Sequence, residues 1–313
     1  MSRRTSGADG VQAPAYAATR TPFARGAVLA AMLFASALAC AQERFSLFVG
    51  SPQFTVERMV KVAELRDGDV VADLGSGDGR IVLTSLKSNP KIRGWGVDIN
   101  PELVRQANEN AQQQGVADRV QFHHRNVFDA DLRDVTVINM WLFPELMRLL
   151  RPKILNEARP GTRVVSNGFD MGHWYPDAVD SDGGRVLVWI VPAKVDGFWN
   201  WSLPVAGVAQ RFEAIIEQRF QAAEGIARVG NRRGVFSEVV LRGEDLSFAI
   251  EITLEPGGLT RHQFTGKVRG DRIEGTVRMT FRDDPDYKTV ALPWTAERAG
   301  TTAYFRPTGV ATR

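Results

Sequence analysis

The chain has 313 residues, more than one ordinary domain needs and enough for two. At 44% hydrophobic and 24% charged residues it is neither low-complexity nor disordered, and a net charge of only +3 excludes a strongly basic nucleic-acid binder. Much of the positive excess sits in the first 25 residues, where Arg3, Arg4, Arg20 and Arg25 face a single acid, Asp9.

After Arg25 the run Ala27–Ala39 carries no charge and no polar face. It is short for a membrane span but suits the hydrophobic part of a signal peptide. Ala37 and Ala39, or Ala39 and Ala41, offer a small-residue cleavage site. Residues 1–41 are therefore expected to target the chain to the periplasm or the membrane, with 42–54 as a linker. Two alternatives stay open. A misassigned start codon would leave the protein cytoplasmic, and Cys40 would carry a lipid in a lipoprotein, although Ala37 stands where such proteins usually have Leu. Cys40 is the only cysteine, so no internal disulfide is possible.

From residue 55 to 192 helical and strand patterns alternate. Thr55–Leu65 has apolar residues at helical spacing and ends at Asp67-Gly68-Asp69. Val70–Leu74 reads as a buried strand, followed by a glycine turn and a helix from about Gly79. Ile92–Ile99 is a second strand, and Pro101–Gly115 a helix with Pro in its first turn and Gly at its end. Strands follow at Val120–His123 and Val135–Met140. The helix Phe143–Ala158 is expected to break or restart at Pro152, and further strands at Arg163–Ser166 and Val186–Val191 complete the pattern. Such alternation predicts a parallel sheet with right-handed crossovers.

From 193 to 313 helical spacing fades. Strand-like segments at Arg211–Phe220, Val235–Leu241, Leu246–Leu254, Gln263–Val268, Arg272–Phe281 and Thr289–Ala296 are separated by turn residues such as Gly257-Gly258 and Gly270-Asp271. They predict a second, antiparallel domain, a small barrel or a sandwich.

The segment Val70–Arg80 (VVADLGSGDGR) carries the chemistry. A buried strand runs into a turn with Gly75, Gly77 and Gly79, and a helix begins at once, so a ligand can lie against backbone N–H groups. A dinucleotide site usually has G-x-G-x-x-G. Here the spacing is G-x-G-x-G, and Asp73 just before the turn repels a pyrophosphate but attracts an ammonium. S-adenosylmethionine, with an amino-acid tail, a sulfonium and no phosphate, matches that charge pattern. Asp98 ends the second strand in Gly96-Val97-Asp98-Ile99, where a carboxylate can accept from both ribose hydroxyls. In the loop Arg125–Asp129, the Asn126 amide suits the adenine edge and Val127 its face. The expected cofactor contacts are thus Asp73, Gly75, Ser76, Gly77, Asp98, Ile99, Asn126 and Val127.

Together these residues resemble the class I S-adenosylmethionine-dependent methyltransferases over about 140 residues. That resemblance implies a Rossmann-like sheet, here with the C-terminal β-barrel or sandwich added. DLGSGDGRI (Asp73–Ile81), WLFPEL (Trp141–Leu146) and PGTRVVSNGFDMGHWYPD (Pro160–Asp177) are similar to a narrower group, related to the lysine methyltransferases of the ATP synthase c subunit. It implies methyl transfer to a protein lysine. Asn126 departs from the family, which often has Asp there; one acceptor is kept and donors are added.

Methyl transfer requires alignment and exclusion of water rather than a triad or a metal. No catalytic residue is assigned. Trp141 and Glu145, beyond the fourth strand, are the candidates for a pocket wall that orients an amine, although Glu145 also suits the first turn of a helix begun by Pro144. His123-His124 point to opposite faces of a strand and do not suggest a metal site. His173-Trp174 reads as pocket lining or an ordinary loop, and Phe198, Trp199 and Trp201 as core. Asn139-Met140-Trp141-Leu142 lacks the N-P-P-Y pattern of amino-methylating nucleic-acid enzymes, so a protein or small-molecule acceptor is expected. An exported nucleoside-binding protein without turnover is the alternative.

Overall fold

The computed structural model describes residues 50–300. The basic arm, the apolar run, the cleavage motif and Cys40 lie outside the described residues. Helix α1 (Gln53–Val62) starts inside the expected linker and buries Val56 and Met59. Strand β1 (Val70–Leu74) is buried along its whole length. Next come α2 (Arg80–Ser88), β2 (Arg93–Asp98), α3 (Pro101–Gln113), β3 (Val120–His124), β4 (Val137–Met140), α4 (Pro144–Glu157) and β5 (Arg163–Asn167). The start of α3 is set by Pro101 at its first position and by the Asn100 side chain, which accepts from the Glu102 amide at 3.0 Å.

With β6 (Ala178–Asp180) and β7 (Val186–Ile190) these strands form one sheet in the order β3-β2-β1-β4-β5-β7-β6. The sheet is mixed, not all parallel as expected: β7 runs antiparallel to both β5 and β6. Residues 181–185, which join β6 to β7, are too few for the crossover that parallel neighbours need. A second departure is α4, which continues through Pro152. Pro152 lies on the exposed side of the helix, where water can satisfy the carbonyl that loses its donor.

Each face of the sheet has its own core. Val71, Val137 and Val165 meet α1, α2 and α3 on one side. Ala72, Leu74, Ile138, Met140 and Val164 meet α4 on the other. At the amino edge Arg163 and Asp69 form a buried ion pair at 2.6 Å. Arg163 also donates to the carbonyls of Ala63 (2.9 Å) and Glu64 (2.5 Å), tying the end of α1 to β5. Burial pushes the Asp69 carboxyl up, but bonds from the Arg66 amide, Arg163 and Thr136 outweigh it, so Asp69 titrates below its ordinary range.

Beyond the connection 191–196 the chain forms a closed antiparallel barrel, settling the choice between barrel and sandwich. Its strands are β8 (Gly197–Val205), β9 (Val208–Arg219), β10 (Ala222–Val229), β11 (Arg232–Arg242), β12 (Asp245–Leu254), β13 (Gly258–Arg269), β14 (Arg272–Phe281) and β15 (Thr289–Ala299). Successive strands pair as hairpins, and β15 closes on β8. The interior is filled by rings. Phe248 lies 4.1 Å from Phe236 and 4.7 Å from Phe264 between ring centres, and Trp201 meets Phe212, Phe264 and Trp294. Trp199 and Trp201 are core residues; Phe198 is half-buried.

Sheet and barrel belong to one compact unit. Phe220, at the β9–β10 turn, stacks on Trp174 of the loop after β5, with the Arg151 guanidinium 5.3 Å from its ring centre. Gln221 donates to the Tyr175 carbonyl at 2.7 Å, and the Ala193 amide to the Gly243 carbonyl at 2.8 Å. Arg298 lies over the Trp199 ring and donates to the Lys194 and Asp196 carbonyls, pinning the connection to the barrel seam.

The buried ion pair generates a stability prediction. Arg163→Met strands the Asp69 carboxylate and is expected to cost about 3–5 kcal/mol in chemical denaturation at neutral pH. Adding Asp69→Leu is expected to recover part of that loss. Because the Asp69 pKa is lowered on folding, its contribution is present above the ordinary carboxylate range and fades as pH falls through the lowered value. A loss below about 1 kcal/mol for Arg163→Met would contradict this account.

Candidate cofactor-binding site

The site lies where β1, β2 and β4 end at the carboxyl edge of the sheet. Gly75 has φ 87°, and a Cβ there would lie 2.7 Å from Leu142 Cδ2, so only glycine allows β1 to turn beneath the loop after β4. The turn is held from below: the amides of Gly75 and Ser76 donate to the Val97 carbonyl at 2.9 and 3.0 Å. At Gly96 a Cβ would collide with Ser76 Cβ at 2.5 Å, so the absent side chain lets Ser76 lie over β2.

Three carboxylates surround this turn, and their partners differ. Asp98 Oδ2 accepts from the Gly77 amide at 2.9 Å and Oδ1 from the Asn100 amide at 2.8 Å. This fixes the carboxylate at the tip of β2 while leaving lone pairs for a diol. Asp78 is paired with Arg80 at 2.5 Å, and Arg80 also donates to the Ser51 carbonyl at 2.7 Å, drawing the segment before α1 onto the start of α2. Asp73 has neither help: it is 1% exposed and neither carboxylate oxygen has a partner among the described residues. Burial, and then the neighbouring charges of Asp98 and Asp78, push its pKa up to about 8.

An unpaired buried carboxylate is costly, and a ligand ammonium removes that cost. The residues present therefore fit S-adenosylmethionine: Asp73 for the ammonium, the glycine cradle for the tail and Asp98 for the ribose. The structure brings Asp73, Gly75, Ser76, Gly77 and Asp98 together around one turn. Ile99 follows Asp98 directly and is 40% exposed, open to a ring lying on it. At the adenine end the loop itself uses part of the expected contact set. Asn126 is exposed and its Oδ1 already accepts from the Phe128 amide at 3.0 Å, capping a short 3-10 turn over Val127–Asp129. The Asn126 side-chain oxygen is thus already engaged in forming the loop, and Val127 is half-buried.

The two catalytic candidates separate. Trp141 is half-buried, whereas Glu145 is exposed in the first turn of α4 and paired with Arg148 at 3.3 Å. That is the helix-start arrangement. His173 is exposed, and Trp174 is fully buried between Trp189 and Phe220, so Trp174 does not line the pocket. His124 Nε2 lies 2.9 Å from the Ile99 carbonyl, tying β3 to the loop after Asp98. One residue entered the sequence reading only within the segment that lacks the N-P-P-Y pattern, not as a site residue. Asn139 on β4 is 1% exposed, stands in register with Asp73, and its Oδ1 has no partner among the described residues. Its signal was a single polar letter in the buried run Val137–Met140.

The raised pKa gives a pH prediction. An ammonium binds the ionised form of Asp73, so below about pH 8 binding must expel a proton, and affinity is expected to weaken about tenfold for each further unit. Titration calorimetry with S-adenosylhomocysteine near pH 6.5, in buffers of different ionisation heat, is expected to show close to one proton released per molecule bound. 5′-Methylthioadenosine, which has no ammonium, is expected to release none. Equal release for both ligands would separate Asp73 from the tail.

Comparison with known proteins gives the family. The family model described as ANTKMT methyltransferase domain matches residues 73–178. A protein-lysine N-methyltransferase of Saccharolobus islandicus (strain REY15A) is 39% identical over 132 residues, which are 42% of this chain and 82% of that protein. The adenine nucleotide translocase lysine N-methyltransferase of Mus musculus is 35% identical over 54% of this chain and 73% of its own length. Among solved structures, an RNA methyltransferase from Salinibacter ruber in complex with S-adenosyl-L-homocysteine is 42% identical, with 47% of this chain and 96% of that chain covered and a TM-score of 0.45. The first two relatives are matched over more than two thirds of their length, and with the acid–glycine turn and the Asp98 strand tip they place the protein: it belongs to the protein-lysine N-methyltransferase family of S-adenosylmethionine-dependent enzymes.

Proposed function

We propose that this enzyme methylates the side-chain amine of a lysine in a protein substrate. The observation that carries the proposal is the apolar rim at the carboxyl edge. Phe143 and Phe169, on the loops after β4 and β5 and apart from the expected cofactor contacts, are 47% and 36% exposed at that edge. The names of the relatives support a lysine acceptor.

When bound, S-adenosylmethionine supplies a methyl on an activated sulfonium carbon. The chain's own residues have the remaining tasks. Asp73 and Asp98 fix the two ends of the cofactor, which sets the direction from which a nucleophile must arrive. The rim can cover the four methylenes of a lysine and strip water from its ammonium, which lowers the amine pKa and favours the neutral nucleophile. Glu145, already paired with Arg148 in solvent, is not required as a base. Kinship with named methyltransferases favours turnover over a binding protein that merely kept the pocket. Export remains part of the proposal, on the strength of the charge-free run Ala27–Ala39. Fractionation of cells and N-terminal sequencing of the mature chain check it. A mature chain found in the cytoplasm with Met1 intact would refute it.

Purified full-length chain, radiolabelled S-adenosylmethionine and extracts of cells lacking the gene test the acceptor. Label is expected in protein, on lysine by mass spectrometry, and label in RNA alone would reject the proposal. Asp98→Ala is expected to weaken cofactor binding at least about tenfold through loss of charge-assisted bonds. Unchanged affinity would remove Asp98 from the site.

A further inference from the structure

The end of β1 lies in a lateral row that crosses the sheet. Register places Gly96 of β2 beside Asp73, Asp73 beside Asn139 of β4, and Asn139 beside Val165 of β5. Ser76 lies over Gly96, and beyond Gly96 the row continues to Phe122 of β3. All these strands are parallel, so the side chains in register share one face. It is the face of Val71, Val137 and Val165, covered by α1, α2 and α3. Along the row the chemistry reads apolar, hydroxyl, carboxylate, amide, apolar.

The three polar members share one peculiarity. Ser76, Asp73 and Asn139 are 5%, 1% and 1% exposed, and Ser76 Oγ, both Asp73 oxygens and Asn139 Oδ1 have no hydrogen-bond partner among the described residues. Buried polar atoms rarely go unpaired, and neighbouring unpaired atoms on adjacent strands indicate a missing shared partner. Every orphaned atom is able to accept. Neighbouring strands lie about 4.8 Å apart, a gap that one tetrahedral group can bridge. A group with several donors and no acceptor, carrying a positive charge, is an ammonium.

We infer that Asn139 is a cofactor-binding residue that completes an ammonium pocket with Asp73 and Ser76, its Oδ1 accepting from the α-ammonium of the cofactor's amino-acid tail. Asp73 supplies the charge. Asn139 supplies direction: it holds the ammonium on the β4 side of Asp73, so the tail lies across β1 and β4. A neutral acceptor does this without adding a further charge beside Asp73, Asp78 and Asp98. The alternative task for Asn139, receiving the incoming lysine amine, would leave the ammonium to Asp73 and Ser76.

The inference rests on the cleft being the cofactor's, and a thermodynamic cycle on the full-length protein tests it. S-adenosylhomocysteine and its desamino analogue are titrated calorimetrically into wild type and Asn139→Leu. The substitution is expected to weaken S-adenosylhomocysteine about tenfold or more and to change desamino-analogue affinity by less than about twofold. Asn139→Ser, which keeps a hydroxyl but shortens its reach, gives the same cycle if the leucine variant does not fold. Equal losses for both ligands, or unchanged S-adenosylhomocysteine affinity with a raised KM for the protein acceptor, would overturn the inference while leaving the methyltransferase reading intact. Failure of wild type to bind S-adenosylhomocysteine would overturn both.

Discussion

The catalytic half of this molecule depends on a carboxylate that the fold buries without a partner. Asp78 has Arg80, Asp98 has two backbone amides, and Asp73 has no partner among the described residues. A protein interior tolerates such a group when a ligand completes it or a proton neutralises it. Around Asp73 the sequence does both. The raised pKa keeps it neutral without a ligand, and a ligand ammonium would pair with its ionised form.

The rest of the sheet serves that point. Gly75 and Gly96 are needed because Leu142 and Ser76 come too close for any side chain. Arg80 carries the constraint outward, joining the acid of the turn to Ser51 before α1. The buried pair Arg163–Asp69 anchors the opposite edge of the sheet. The barrel contributes support at one place that matters. Phe220 and Gln221 brace Trp174 and Tyr175 in the loop after β5, and that loop carries Phe169 of the apolar rim.

Much of this was legible in the chain. The strand–turn–helix around Asp73 was readable because a buried run, an acid and three glycines occupy adjacent positions, each with its own physical reason. Asp98 was readable from its place at the end of the next strand. Asn139 was not, because one amide in an apolar strand looks like an ordinary core residue until register sets it beside Asp73. Asn126 shows a second task that its residue type did not announce: its oxygen caps the local turn. In the barrel, β10 was missed because Ala222–Val229 is rich in Ala, Gly and Glu, poor strand formers that pairing on both sides overrides. Strand β8 was hidden by Pro204, which is tolerated because β15 pairs with β8 only near its start, at Phe198, Trp199 and Asn200. The seventh strand was found but its direction was not, since direction follows from the short turn after the overlooked β6.

The most direct test of the central claim is a crystal structure of the full chain with S-adenosylhomocysteine bound. The ammonium nitrogen is expected within about 3 Å of an Asp73 oxygen, with the ribose hydroxyls on Asp98. A tail lying elsewhere, with the Asp73 carboxyl still buried and unpartnered, would contradict the account.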